Sequence, residues 1–163
     1  MHSKNYIALG DSYTVAEGVA INESFPYKVV QKLRAIGFNF NAPEIIARTG
    51  WTAEELELSI KTYKFSSKYD FVTLLTGVNN QYRGKRVEEF KMSFENLLKL
   101  SIKLTDDKDR VYILSIPDYS KTPFAASLDV EKIAKEIEVY NSVCKALSIQ
   151  YKVQYIDLMN LDI

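Results

Sequence analysis

The 163-residue chain carries 21 Lys and Arg against 21 Asp and Glu, with 47% hydrophobic and 26% charged residues. That balance excludes the basic patch that a nucleic-acid or anionic-membrane surface requires, and no apolar run reaches the ~20 residues of a membrane helix. A lone Cys144 excludes an internal disulfide and a cysteine-rich metal site.

A chain of this length is expected to form one domain with a proper core. Its first residues, MHSKNYIALG, lack a signal-peptide core, so a cytoplasmic protein is expected, although a secreted chain trimmed of its signal has the same composition. Tyr6–Leu9 is the first predicted strand, and it stops abruptly at Gly10, Asp11 and Ser12. Ser24 and Pro26 open a helix whose apolar face is Phe25, Val29, Leu33 and Ile36, closed by Gly37. Glu44–Ala47 is the second strand and runs into Arg48, Thr49, Gly50, Trp51 and Thr52. Thr52 and Glu55 match a capping box, which starts a helix just after Gly50.

The third strand, Phe71–Leu75, ends in Thr76, Gly77, Val78, Asn79 and Asn80, and Val87, Phe90, Phe94, Leu97 and Leu98 then line a helix. Arg110–Ser115 is the fourth strand and ends in Ile116, Pro117 and Asp118. Asp129 caps a last helix with the stripe Val130, Ile133, Ile137, Tyr140, Cys144 and Leu147, before a fifth strand, Val153–Ile156. Short continuous apolar runs read as strands buried on both faces. Their alternation with amphipathic helices predicts an α/β fold built on a doubly wound parallel sheet, where function collects at the carboxyl ends of the strands.

Three of those ends hold small and hydrogen-bonding residues that a core strand does not need. A serine at a strand-to-loop turn presents its hydroxyl to a cleft. Gly50, just before a capped helix, offers an outward N–H with no Cβ in the way. The Asn79 side chain carries an amide N–H. With the Ser12 N–H these make three donors for a developing oxyanion. Each residue alone also has a plain reading as a turn, a positive-φ position or a loop pair. The three together, on three different strand ends, point to a site.

The blocks GDSYT, ARTGWT and TGVNNQY resemble those of the SGNH (GDSL-type) hydrolase family. The resemblance implies a flavodoxin-like three-layer fold with a five-stranded parallel sheet, acting on a small-molecule acyl ester with no metal or organic cofactor. It implies Ser12 as nucleophile, with Gly50 and Asn79 as oxyanion donors. Asp11, Trp51, Asn80 and Tyr82 lie beside these positions and are the expected substrate contacts. Asn80 stands where the common family form has Asp. Arg48 and Arg83 either meet an anionic substrate group or pair with surface acids.

The family's final Asp-x-x-His block, which supplies the base, has no counterpart in these 163 residues, nor has the helix that follows it. The resemblance therefore implies a chain incomplete at its C-terminal end and impaired in catalysis, since a serine hydroxyl needs a base near neutral pH. His2, the one histidine, is separated from Ser12 by the length of the first strand, at least ~15 Å at ~3.3 Å per residue. The apolar sheet surface left by a missing helix is expected to favour a homo-oligomer. Two other readings stand beside the hydrolase: an acyl- or carbohydrate-binding module on the same fold, and a small-ligand-binding flavodoxin-like domain.

Overall fold

The computed structural model describes residues 2–66 and 68–159. The expectations about a C-terminal block and closing helix fall past residue 159 and lie outside the described residues. Five strands, β1 (Tyr6–Gly10), β2 (Glu44–Ala47), β3 (Phe71–Leu75), β4 (Val111–Leu114) and β5 (Gln154–Ile156), form one sheet in the order β2-β1-β3-β4-β5. Every pairing is parallel. The connecting helices are α1 (Ser12–Val15), α2 (Phe25–Ala35), α3 (Ala53–Ile60), α4 (Val78–Tyr82), α5 (Val87–Thr105) and α6 (Val130–Tyr151). The five expected strands and four expected long helices are present, in the α/β architecture the alternation predicts.

The two sheet faces are covered unequally, and strand alternation decides which residues go where. Ile7 and Leu9 of β1, Val72 and Leu74 of β3, and Val111 and Ile113 of β4 face α3, α5 and α6. There they pack on Leu56, Phe90, Phe94, Leu97, Leu98, Ile137 and Cys144 in the main core. Tyr6 and Ala8 turn to the other face, against Val30 and Phe40, with Val29, Leu33 and Phe71 packed on them. The Tyr6 ring stacks on Phe71 at 4.1 Å between centroids, and its hydroxyl shares a 2.7 Å hydrogen bond with Thr73. Beyond α2 this second face holds a groove of about 430 Å³ bordered by Val29, Leu33, Phe40, Phe71, Tyr112 and Ile156.

Local capping sets the helix starts. Thr52 Oγ1 accepts from Glu55 N–H at 3.3 Å, and Glu55 Oε2 accepts from Thr52 N–H at 2.8 Å, closing the predicted box at the start of α3. Asp129 caps α6 by accepting from Lys132 N–H at 3.0 Å. The first long helix departs from its predicted face. Pro26 and Val30 are its buried residues, flanked by Val29 and Leu33, whereas Ile36 is 71% exposed. The reason is geometric: Ile36 sits at the C-cap, where the backbone has already left helical geometry, so it no longer continues the stripe.

Candidate active site

The chain order places β1 beside both β2 and β3, so the connections after β1 and β3 leave the sheet on either side of its switch point. Gly10 ends β1 because nothing larger fits. A Cβ there would lie 2.0 Å from Thr14 Oγ1 and 2.6 Å from the Leu75 carbonyl oxygen. This close approach lets the chain turn at once into α1, whose first residue is Ser12. Asp11 caps that helix: its Oδ1 accepts from Tyr13 N–H at 3.0 Å. The carboxyl is buried and its Oδ2 meets no partner among the described residues. Burial pushes its pKa up to about 7, against the lowering effect of the Tyr13 N–H.

After β3 the chain enters α4, which carries Asn79, Asn80, Gln81 and Tyr82. The neighbouring asparagines have different tasks. Asn80 is fully buried; its Oδ1 accepts from Ala53 N–H at 2.9 Å and its Nδ2 donates to Glu54 Oε2 at 2.8 Å. It therefore holds the start of α3 against α4. Asn79 is half-buried and donates Nδ2–H to the Trp51 carbonyl at 2.9 Å. A primary amide has two such protons, so one is left for another acceptor.

The Gly50–Trp51 loop is thus gripped from one helix. Arg83, one turn beyond Asn79, donates Nη2–H to the Gly50 carbonyl and pairs with Glu55 at 3.3 Å. Gly50 has φ +84°, a conformation that costs a residue with a side chain about 1 kcal/mol or more. The N–H groups of Ser12 and Gly50 meet no acceptor among the described residues.

Ser12 and Asn79 open onto one cavity of about 460 Å³. Tyr82 lines it too, together with Tyr13, Glu17, Val78, Tyr119, Thr122 and Phe124. Of the other expected site residues, Asp11 and Asn80 take capping and bracing positions, and Gly50 and Trp51 are not among the residues that line the cavity; Trp51 is tied to it through the Asn79 bond. Arg83 is engaged with Glu55 and Gly50. His2 lies exposed before the amino end of β1, the opposite end of the strand from Ser12.

Tyr119, Thr122 and Phe124 carry no motif, and they arrive through two single-turn helices, residues 119–121 and 123–125, that follow β4. Asn141 fixes the exit from β4 by bonding both backbone groups of Ile116, at 2.7 and 2.9 Å. Their sole sequence signal is their place after a strand end. Burial raises the Tyr13 pKa to about 12, with the nearby Asp11 adding to the shift. No group of three or more His, Cys, Asp or Glu suited to a metal occurs among the described residues. No described helix is long and apolar enough to cross a membrane.

A model of the GDSL-like lipase/acylhydrolase family matches residues 8–162. No curated protein matches the chain by sequence. Among solved structures, the chain is similar to AlinE4, an SGNH-hydrolase family esterase, with TM-score 0.75 and 20% identity over 96% of this chain and 76% of that one. It is also similar to TesA, with TM-score 0.74 and 17% identity over 93% of this chain and 77% of that one. A third similar structure is a member of the lipolytic protein G-D-S-L family from Veillonella parvula DSM 2008, with TM-score 0.73 and 16% identity, covering 96% and 79% of the two chains. Likeness at this identity establishes the shared fold.

Proposed function

The chain belongs to the GDSL-like lipase/acylhydrolase family, and from that premise we propose that its site hydrolyses an acyl ester with Ser12 as nucleophile. The observation that carries this reading is the shared cavity: the Ser12 hydroxyl and the Asn79 amide come from different strand ends and open onto the same space. The Ser12 Oγ attacks the acyl carbonyl carbon. The carbonyl π electrons move to oxygen, and the Ser12 proton passes to a base. The oxyanion is held by the Ser12 N–H, the Gly50 N–H and the second Asn79 amide proton. Collapse of the tetrahedral intermediate expels the alcohol, and water then releases the acid by the same steps. Each oxyanion donor contributes roughly 3 kcal/mol to such a transition state.

The base is the slow point for these 163 residues. Their one imidazole, His2, stands at the far end of β1. The polypeptide is therefore expected to turn over esters slowly, through the oxyanion donors and binding alone. The experiment is chemical rescue. Hydrolysis of p-nitrophenyl butyrate is followed with and without added imidazole, with Ser12→Ala as the matched control for direct attack by imidazole. A saturable increase in rate that disappears in Ser12→Ala supports the assignment. Equal rates for the two proteins at every imidazole concentration overturn it.

A further inference from the structure

Three successive amide side chains of α4 reach three different parts of the chain. Asn79 holds the loop after β2 through the Trp51 carbonyl, and Asn80 holds the start of α3. Gln81, about 100° further round the helix, turns to the segment that follows β4. It is buried, at 6% exposure. Its Oε1 accepts from the Tyr119 hydroxyl at 2.7 Å, and its Nε2 donates to Glu136 Oε2 of α6 at 2.8 Å. One amide thus joins α4, α6 and the segment after β4.

That segment is otherwise bonded to itself. Residues 119–125 form two single turns, and their remaining hydrogen bonds are local. Ser120 N–H donates to Asp118 at 3.0 Å, the Thr122 hydroxyl to the Tyr119 carbonyl at 2.7 Å, and Leu128 N–H to the Ala125 carbonyl at 2.8 Å. Among the described residues, Tyr119–Gln81 is the one hydrogen bond that ties this segment to another element. Ring contacts of Tyr119 and Phe124 with Tyr82, at 6.4 and 5.9 Å between centroids, complete the junction. The segment nevertheless supplies Tyr119, Thr122 and Phe124 to the cavity that Ser12 and Asn79 share.

The residue type at position 81 fits its two neighbours. The Glu136 carboxylate only accepts, and the Tyr119 hydroxyl as placed donates. An amide is uncharged and does both. A carboxylate of the same size would still accept from Tyr119 but would face Glu136 as a like charge. An apolar side chain would leave both neighbours without this partner.

We propose that Gln81 is a positioning residue of the site: through Tyr119 and Glu136 it clamps residues 119–125 to α4 and so fixes the wall against which substrate binds. Gln81 does not itself line the cavity, so it acts on binding and not on the reacting atoms. The link to a rate rests on the ester-hydrolase reading; the clamp itself does not depend on catalysis.

The experiment exchanges donor and acceptor across the Gln81–Glu136 bond. Gln81→Glu keeps the size and sets two carboxylates together. The double variant Gln81→Glu/Glu136→Gln restores one donor and one acceptor with the polarity reversed. The imidazole-rescued hydrolysis of p-nitrophenyl butyrate is measured at fixed imidazole, below the melting transition, where slow chemistry makes KM a measure of binding. Gln81→Glu should raise KM about 3–10-fold, the range of a lost hydrogen bond, with kcat within about twofold. The double variant should return KM to within about twofold of the parent. Tyr119→Phe, which removes the hydroxyl and keeps the ring, should raise KM by a similar factor. A second readout needs no turnover. The NMR cross-relaxation between the Tyr82 and Tyr119 rings should weaken in Gln81→Glu and return in the double variant.

A ring contact unchanged in Gln81→Glu overturns the clamp, as does a defect that Glu136→Gln leaves unrepaired. A ring contact that follows the exchange while KM stays constant, or a loss confined to kcat, overturns its role in the site. These outcomes are separable from that of the hydrolase reading. A rescued rate that survives Ser12→Ala overturns the nucleophile, and the clamp is then read from the ring contact alone.

Discussion

The Asn79 side-chain amide donates to the carbonyl oxygen of Trp51 at 2.9 Å, across 28 positions of sequence. This one bond fixes the loop after β2, which holds Gly50 and Trp51, to the helix after β3, whose Asn79 shares a cavity with Ser12. The proposed mechanism gives Asn79 a second task, that of oxyanion donor, beside its place as a tether. Asn79→Ala should lower the imidazole-rescued rate roughly 100- to 1,000-fold, the loss typical of one oxyanion donor. Stability should fall by about 1 kcal/mol, the net value of one hydrogen bond. Rate assays beside denaturant titrations check both numbers; a rate unchanged at full folding would remove Asn79 from the oxyanion site.

Asn80 separates tether from chemistry. Its buried amide serves Ala53 N–H and Glu54 and does not line the cavity. Asn80→Ala leaves the Ala53 N–H without that partner and should destabilise the fold by about 1–3 kcal/mol. The imidazole-rescued rate, measured well below the melting transition, should be retained. A large loss of rate with unchanged stability would place Asn80 at the reacting centre instead.

Asp11 predicts a pH dependence with a definite sign. Its pKa rises from 3.8 to about 7 in the folded protein because burial penalises the carboxylate. Between these values the folded state binds more protons than the unfolded one. Stability from this group therefore falls as pH rises from about 4 to about 7, and the full penalty applies above that window. Asp11→Asn keeps an oxygen for Tyr13 N–H but removes the charge. Its melting temperature relative to the parent should rise progressively from pH 5 to pH 8. A difference that is flat across this range would show that Asp11 titrates normally.

Gly10 tests the turn that presents Ser12, the proposed nucleophile. An added methyl would collide with the Thr14 side chain and the Leu75 backbone oxygen, and the second cannot move without disturbing β3. Gly10→Ala should cost on the order of 1–3 kcal/mol, the penalty of overpacking a tight site. Pairing it with Thr14→Ala, which removes the Oγ1 contact at 2.0 Å and leaves the Thr14 Cβ contact at 2.8 Å, should recover part of that loss. Chemical denaturation of the two proteins measures the recovery; none at all would place the whole cost in the Leu75 oxygen and the Cβ of residue 14.

How much of this was legible beforehand follows the range of the forces involved. The Thr52–Glu55 box and the Asp129 cap act within three residues, so the sequence displays both partners together. The apolar runs at Tyr6, Phe71 and Val111 are strands because each must be buried on both faces. Ile36 misled because a helical stripe gives no mark of where the helix stops. Asn79 and Asn80 are chemically identical neighbours, and only their facing partners, Trp51 and Ala53, distinguish an amide that reaches the cavity from one that braces two helices.

The sequence by itself determined the strand and helix order, the family and the candidate donors, because periodicity, capping and short motifs are local properties of the chain. Tertiary structure decided what surrounds Ser12. Tyr82 follows β3 while Tyr119 and Phe124 follow β4, and the two segments meet because β3 and β4 pair in parallel and release their chains at the same end of the sheet. Side-chain contacts of this kind are set by strand order and register, which no single stretch of residues encodes.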